Sequence, residues 1–470
     1  MWPLRTMFYF AAFWLACMAA LVNPIWGVLN YLMVYQMNPV DTWWGVPIAD
    51  FGVRYSLVAI SFIILGLLLS GKKTPPLTPN LSAWEVGAIL LLVIAAVNLL
   101  IGFEYGQAAR FAFEKLWKMF VFVFILARLI TTRENLRLVM WTIVGGSFYL
   151  GYDAYTAPSS SFESGRLEHI GGADFSTTSG FAAHLSAMLP LVGAMFLTAK
   201  TKKTQFTVAI VGAFVVNAII MCRTRSAFIG LLIGTVVAMM FAPRAKRFRI
   251  HALLIGAGIA GYSLTDAAFW TRMHTLTSTD TLSTDPAAET RLAIWGASLE
   301  IIADHPEGIG IGNFPRIIGN YDWNLYKRTS HNTVLKAFVE LGIHGGVIFL
   351  LMVLGSLRYT FLCRRLADRT DDPLETKYYS YGMLVSCVTY FITGLGTERF
   401  QCESFWWVMV LPLCLYRVVR QEVREREAAR MEYANAEAYN VTYGGIKREG
   451  QSPARTVDVI PSLVYGVDRV

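Results

Sequence analysis

Apolar residues run along the chain in long stretches that short polar connections separate. A helix that crosses the hydrocarbon core of a bilayer needs about 20 such residues, because each residue adds about 1.5 Å. Eleven stretches approach that length, at 53–70, 84–101, 111–128, 137–155, 178–198, 206–222, 226–241, 250–265, 331–357, 380–395 and 403–417. Residues 7–38 add one or two more, since Pro24 interrupts that stretch. The pattern predicts an all-α polytopic transmembrane protein with about 12 spans.

Basic residues recur in every second connection between these stretches. The clusters are Lys72–Lys73, Arg128 with Arg133 and Arg137, Lys200 with Lys202 and Lys203, Arg244 with Lys246, Arg247 and Arg249, and Arg358 with Arg364 and Arg365. Short loops rich in Lys and Arg stay in the cytoplasm. We therefore expect these connections to be cytoplasmic and the alternate ones to face outward.

The connections divide the chain into four predicted regions. Residues 1–265 are the N-terminal transmembrane helices, 266–330 an outward, periplasmic loop, 331–417 the C-terminal transmembrane helices, and 418–470 a cytoplasmic tail that is partly disordered. Within the loop, apolar residues recur with helical spacing from Glu289 to Ile302, which predicts an amphipathic helix. Loops of this length with helical content usually carry function.

Composition excludes two broad classes of protein. The chain is 55% hydrophobic and 16% charged, with a mean hydropathy of +0.45, whereas a soluble domain is about 25% charged. A water-soluble enzyme is therefore excluded. The net charge of +8 is accounted for by cytoplasmic loops, so no nucleic-acid partner is expected. Six scattered cysteines show neither metal-binding spacing nor a disulfide framework.

Three arginines lie where an apolar chain should avoid charge. Arg223 and Arg225 stand at the outer junction of two apolar stretches. They are either interfacial side chains that extend to water or a site for an anion, since guanidinium groups match phosphate oxygens in two-point geometry. Arg291 lies near the start of the amphipathic helix, where backbone N–H groups favour an anion. The alternative for Arg291 is a salt bridge to Glu289.

A histidine and two further features stand near the point where the outer loop re-enters the membrane. His331 precedes the stretch 331–357, and its imidazole is a candidate general base or a residue that hydrogen-bonds a helix end. The glycines of DHPEGIGIGNF favour a tight turn, since no P-loop Lys follows them. Glu398 and Arg399 lie together in an outward turn, where an ion pair between them is the favoured interpretation.

In their order along the chain, these segments resemble the O-antigen ligase and Wzy-type polymerase superfamily, membrane glycosyltransferases of the GT-C type. The matching pieces are TRSAFIGLL, TRLAIW, DHPEGIGIGNF and SHNTVLKAFVELGIHGGVIFLL, within about residues 205–360. Upstream, GRLEHIGGADFSTTSGFAAHLSAMLPL is similar to a weaker family segment, with Thr177–Thr178 in place of its usual Pro-Asn pair. This segment adds Arg166 and His169 as candidate substrate-binding residues, and the replacement leaves their role open.

The resemblance implies transfer of a preassembled glycan from undecaprenyl diphosphate to a hydroxyl acceptor, at the periplasmic face of the bacterial inner membrane. Arg225 and Arg291 would stabilise the diphosphate leaving group, with Arg223 as a substrate-binding auxiliary, and His331 would be the base. Inversion at the sugar carbon follows. No outward Asp-x-Asp cluster is present, so neither a metal nor another cofactor is expected.

Three acceptors remain open within this resemblance. The favoured partner is the lipid A-core, which makes the chain an O-antigen ligase of lipopolysaccharide biosynthesis, because the single long outer loop matches that arrangement. The alternatives are a growing glycan chain, as in a Wzy-type polymerase, and a protein, as in an O-oligosaccharyltransferase. A lipid-linked glycan transporter is the alternative from another class. Such a transporter should place charged residues near the bilayer midplane, whereas the charged candidates here lie at the outer boundary.

Overall fold

The computed structural model describes residues 3–70, 80–101, 106–163, 165–172, 174–265, 267–274 and 286–443. Most of these residues are helical. The helices are α1 (Leu4–Val22), α2 (Ile25–Met37), α3 (Val46–Ala49), α4 (Tyr55–Ser70), α5 (Ala83–Ile101), α6 (Gln107–Leu129), α7 (Arg133–Tyr155), α8 (Thr178–Thr198), α9 (Lys202–Cys222), α10 (Arg225–Met240), α11 (Arg247–Leu264), α12 (Ala267–His274), α13 (Pro286–Asp304), α14 (Phe314–Tyr321), α15 (Thr333–Leu366), α16 (Pro373–Gly394) and α17 (Glu403–Tyr443). The strands β1 (Phe162–Glu163) and β2 (Arg166–Leu167) form a small antiparallel hairpin.

Five helices within the described ranges are long and apolar enough to cross a membrane. They are Leu4–Val22, Ala83–Leu100, Thr178–Thr198, Lys202–Cys222 and Thr333–Arg369, and a bent pair, Arg225–Met240 with Arg244–Ser263, makes a sixth if it counts as one span. The prediction of an all-α polytopic membrane protein is confirmed, but the number of about 12 spans is not. By length and composition, several of the other predicted spans form helices that are too short or too polar to cross a membrane by themselves.

The chain divides into two compact units, Met1–Val423 and Arg424–Val470. In the second unit the described residues, up to Tyr443, are helical. The four predicted topological regions stay a prediction. Two expectations lie outside the described residues: the basic pair at 72–73 and the disordered part of the tail from 444 onward.

Helices α8, α10 and α16 pack backbone against backbone. A Cβ added at Gly382 in α16 would lie 2.9 Å from the carbonyl oxygen of Pro190 in α8, and one at Gly230 in α10 would lie 3.0 Å from that of Thr389. Small residues at such crossings let membrane helices approach closely. The packing fixes the first turn of α10 beside the last turn of α16.

Helices α13 and α14 form a small layer with its own apolar core. Ile294 and Ile301 of α13 are fully buried with Phe314 and Ile318 of α14, against Val339 of α15. Leu292 and Leu299 on the other face of α13 are about 60% exposed. A helix is therefore present at the expected residues 289–302, and one face of it is anchored on α15. Its amphipathic character stays a prediction, because the opposite face exposes two leucines.

The glycine-rich segment between α13 and α14 fits into a break in α15. Gly342 has φ 73°, and Gly308, Gly310 and Gly312 have φ between 81° and 94°, values at which other residues are strained. The Gly310 N–H donates to the carbonyl of Glu340 at 2.9 Å. The predicted tight turn is confirmed, and it places the layer above the first turns of α15.

Candidate functional site

The junction between α9 and α10 carries two of the predicted arginines. Arg223 caps α9 with φ 46°, and a Cβ added at Gly165 would lie 2.7 Å from its Nη1, so its guanidinium contacts the β1–β2 hairpin. Arg166 of that hairpin donates from Nε to the carbonyl of Cys222 at 3.4 Å. A positive charge is favourable at a helix C-terminus. The structure thus brings Arg166 and Arg223 together at the end of α9.

His169 follows strand β2 and lies near Glu163, which pairs with Arg166 across the hairpin. The side chain of His169 is 78% exposed, and its Nε2 is 4.0 Å from Glu163 Oε2. The backbone of His169 is left-handed, with φ 57°. The exposed His169 side chain lies at the surface of the protein. A substrate-binding role for it stays a prediction.

Arg225 is the first residue of α10, and its side chain is half-buried. The next residue, Ser226, packs against the turn between α16 and α17, because a Cβ added at Gly396 would lie 2.7 Å from Ser226 Cβ. The free N–H groups of the first helical turn add positive potential beside the guanidinium. This end of α10 is suited to an anion.

The same turn is fastened to the start of α15. Thr333 Oγ1 donates to the carbonyl of Thr397 at 3.0 Å and accepts the N–H of Arg399 at 2.8 Å. Asn332 caps α15 and accepts the Val334 and Leu335 N–H groups at 2.9 and 3.1 Å. The start of α15 and the first turn of α10 therefore both contact the turn between α16 and α17.

His331 lies directly before this cap, half-buried, with φ 48°. Its Nε2 is 3.3 Å from Thr329 Oγ1. Burial and the positive charges of Arg291 and Arg328 lower the pKa of His331 below its usual value, while the Glu398 carboxylate opposes them. An imidazole with a lowered pKa is neutral at neutral pH, which is the form that accepts a proton. Arg291 of α13 and His331 are thus close enough to interact.

A buried ionic cluster supports this histidine. Lys336 of α15, whose side chain is 7% exposed, forms ion pairs with Glu398 and, at 3.6 Å, with Glu340. Ser330 Oγ donates to Glu398 Oε2 at 3.3 Å. Burial favours the neutral Glu398, but Lys336 holds the pKa of this carboxyl below its usual value. Ser330, the residue before His331, is thus hydrogen-bonded to a carboxylate that Lys336 holds in position.

The expected ion pair between Glu398 and Arg399 is not the main contact of Glu398, so this interpretation is wrong. Glu398 pairs with Lys336, and Arg399 donates from Nη1 to the backbone carbonyl of Asp174 at 2.9 Å. Lys336 lies on the neighbouring helix, within reach of Glu398. Arg399 extends instead to the segment that follows the hairpin.

A second polar group lies beyond Arg399. Asp174 accepts Tyr35 Oη at 2.7 Å and the Glu403 N–H at 3.1 Å, and it forms an ion pair with Lys115. Asp174 and Glu403 line a cavity of about 600 Å³. The sequence carried a signal for this group, because Lys115 is a charge inside an apolar stretch, but its partners are distant along the chain.

Comparison with known families gives a match that covers part of the chain. Residues 210–350 match the family model described as O-antigen ligase. The match includes Arg223, Arg225, Arg291 and His331, and it leaves out the β1–β2 hairpin and Glu398. It confirms the resemblance to the O-antigen ligase and Wzy-type superfamily without separating its branches. A comparison with curated proteins finds no match.

Proposed function

We propose that this chain, which matches the O-antigen ligase family over residues 210–350, is a membrane glycosyltransferase that moves a preassembled glycan from undecaprenyl diphosphate to a hydroxyl acceptor. The preferred acceptor is a sugar of the lipid A-core. The observation that carries the proposal is the interaction of Arg291 with His331, beside a turn that also holds the first turn of α10. A base that lies near a cation fits a reaction that removes a proton and expels an anion.

The arginines act on the leaving group. As the bond between the anomeric carbon and the diphosphate oxygen breaks, negative charge builds on the diphosphate. Arg225 at the helix N-terminus and Arg291 would stabilise that charge more in the transition state than in the bound substrate, and only such differential stabilisation accelerates the step. The released product is undecaprenyl diphosphate.

His331 acts on the acceptor. Its neutral imidazole accepts the hydroxyl proton while the acceptor oxygen forms a bond to the anomeric carbon, on the face opposite the departing diphosphate. Attack from that face inverts the configuration of the sugar carbon. A positioned general base contributes about 10²- to 10⁴-fold. The left-handed backbone of His331 and the cluster around Lys336 hold the imidazole in place.

The hairpin extends the binding surface. Arg166 and Arg223, which meet at the end of α9, would contact the glycan or the outer phosphate oxygens, and the exposed His169 would contact glycan further out. These residues bind substrate and take no part in proton transfer. Arginine supplies the matched pairs of donors that phosphate oxygens require.

Transfer by this site needs no metal ion. Diphosphate is a good leaving group, and two guanidinium groups supply the charge compensation that many transferases take from Mg²⁺. The donor is a membrane lipid, so we place the enzyme in the bacterial inner membrane, with the site open to the periplasm.

The test is a reconstituted reaction with purified protein, an undecaprenyl-diphosphate-linked glycan and three separate acceptors. Attachment to lipid A-core supports the ligase assignment. Extension of a lipid-linked glycan instead would assign a polymerase, and labelling of a protein acceptor would assign an O-oligosaccharyltransferase. Movement of glycan across liposomes without bond formation would overturn the transferase proposal altogether.

A further inference from the structure

A cavity of about 480 Å³ lies at the opposite end of α10 from Arg225. Helix α10 and the helical stretch after it are bent by 101° relative to each other, and the cavity lies at this bend. Arg244, Arg364 and Lys377 line it, together with the aromatic ring of Tyr378. No carboxylate is among the described residues that line it. The cavity is therefore basic.

Two other cations at this end of the bundle pair with carboxylates. Arg133 pairs with Glu422 at 2.6 Å, and Arg417 pairs with Glu85 at 2.5 Å. Lys377 of the basic cavity likewise pairs with an exposed aspartate at 2.6 Å. Within the described ranges, Arg244 and Arg364 have no carboxylate within ion-pair distance. Two positive charges in the cavity thus remain available for an anion.

The surroundings of Arg364 point to an oxygen-rich ligand. Its Nη2 donates to the carbonyl of Phe241 at 3.2 Å, and its guanidinium lies 5.7 to 6.0 Å from the ring centroids of Phe241, Phe361 and Tyr381. Its Nε is buried and has no hydrogen-bond partner among the described residues. Aromatic faces hold the cation but offer no acceptor to Nε. A phosphate oxygen would supply one.

An apolar cavity of about 400 Å³ lies next to the basic one. Ala238 and Tyr381 line it about one helical turn deeper than the basic cavity, and it extends along α10 to Leu231. Seven residues of helix span about 10 Å, which fits within one leaflet of a hydrocarbon core about 30 Å thick. The lining of this cavity is almost wholly apolar. A ligand that fills both cavities has an anionic head and a hydrocarbon chain.

We propose that the two cavities bind an anionic glycerophospholipid, with its phosphate against Arg364 and Arg244 and one acyl chain in the apolar cavity. The basic loops at this end predict that it faces the cytoplasm, and basic pockets between membrane helices on that side bind anionic headgroups. A free phosphate ion would leave the apolar cavity empty. The site is separate from the proposed transfer reaction and does not depend on it.

The headgroup is tested with full-length protein in phosphatidylcholine nanodiscs that contain phosphatidylglycerol. We expect phosphatidylglycerol to co-purify with the protein in preference to phosphatidylcholine after transfer to detergent. Arg364→Gln and Arg244→Gln should each weaken this retention about fivefold, the effect of one cation near an anionic lipid. Arg365→Gln is the matched control, because Arg365 is exposed and does not line the cavity. Equal retention by all three variants would overturn the proposal.

The acyl chain is tested by filling the apolar cavity. Gly193 lines it, and a Cβ added there meets no described atom within 4 Å, so Gly193→Leu extends into the space without a clash. We expect it to reduce phosphatidylglycerol retention. Gly256→Leu, at a glycine that is equally open but outside the lining, should not. If inorganic phosphate raises the unfolding temperature as much as short-chain phosphatidylglycerol does, the site binds a free anion and the lipid assignment is wrong.

Discussion

Lys336→Met removes the cation at the centre of the buried cluster beside His331. Lys336 forms ion pairs with both Glu340 and Glu398, whose side chains are 1% and 20% exposed. Removal of one member of a buried ion pair costs about 3–5 kcal/mol, because the remaining charge stays desolvated without compensation. We therefore expect the free energy of unfolding to fall by about that amount. Transfer should fall as well, since Glu398 then no longer fixes Ser330 and the backbone of His331.

The measurement is reversible unfolding in mixed micelles, beside the transfer assay. Lys118→Met is a matched control, because Lys118 pairs with Glu114 at the same helical spacing of four residues, with both side chains at least 40% exposed. An exposed pair of this kind contributes about 0–1 kcal/mol. The double variant Lys336→Met/Glu398→Gln should lose less stability than the sum of its single variants, because one interaction links them. If Lys336→Met costs no more than Lys118→Met, the cluster does not support the site and the reasoning is refuted.

Four further predictions concern the proposed reaction. His331→Ala should fold and insert normally but lose about two orders of magnitude or more in transfer, and near-normal transfer would remove His331 from the mechanism. Arg225→Lys and Arg291→Lys should each slow transfer by about 10²- to 10³-fold, or about 2.7–4 kcal/mol, since an ammonium keeps the charge but not the two-point geometry; a Lys variant that stays active would make that arginine an interfacial anchor. Transfer should fall as pH drops through the lowered pKa of His331, because the protonated base is inactive. The pH at which transfer falls should move higher in Arg291→Gln and lower in Glu398→Gln, because Arg291 lowers the pKa of His331 and Glu398 raises it. Unchanged pH profiles of transfer in these variants would contradict the assignment of His331 as the base. Transfer should persist in excess EDTA, whereas a strict requirement for added Mg²⁺ would indicate a carboxylate site.

Local features of the outer loop could be predicted from the sequence. The apolar spacing in 289–302 predicts one buried helical face, and Ile294 and Ile301 are fully buried. The Gly308 to Gly312 segment predicts a tight turn, and its three glycines have positive φ. Both features depend on short-range geometry, since side-chain period and backbone freedom are properties of neighbouring residues.

Long-range features could not be predicted in this way. Lys336 and Glu340 lie in an apolar stretch that has the pattern of a plain membrane span. Glu398, the second ion-pair partner of Lys336, lies about 60 residues further along the chain. The apolar pattern gives the approximate lengths of α10 and α11 but not the 101° bend between them. Pro243 marks the break between these helices, but it does not give the angle. The predicted number of about 12 spans is not confirmed. Apolar length alone does not distinguish a crossing helix from a short or bent one.

The break in α15 has a consequence for which parts of the outer loop tolerate insertions. In an unbroken helix the Ile343 N–H would donate to the carbonyl of Val339, but here it donates to Pro306 at 2.9 Å, and Val339 accepts the Ile309 N–H at 3.0 Å. The loop thus replaces both partners of that bond. A shift of one residue in this segment would leave the N–H and the carbonyl without partners. Length variation among natural relatives should therefore spare 306–312 and collect elsewhere between 266 and 330.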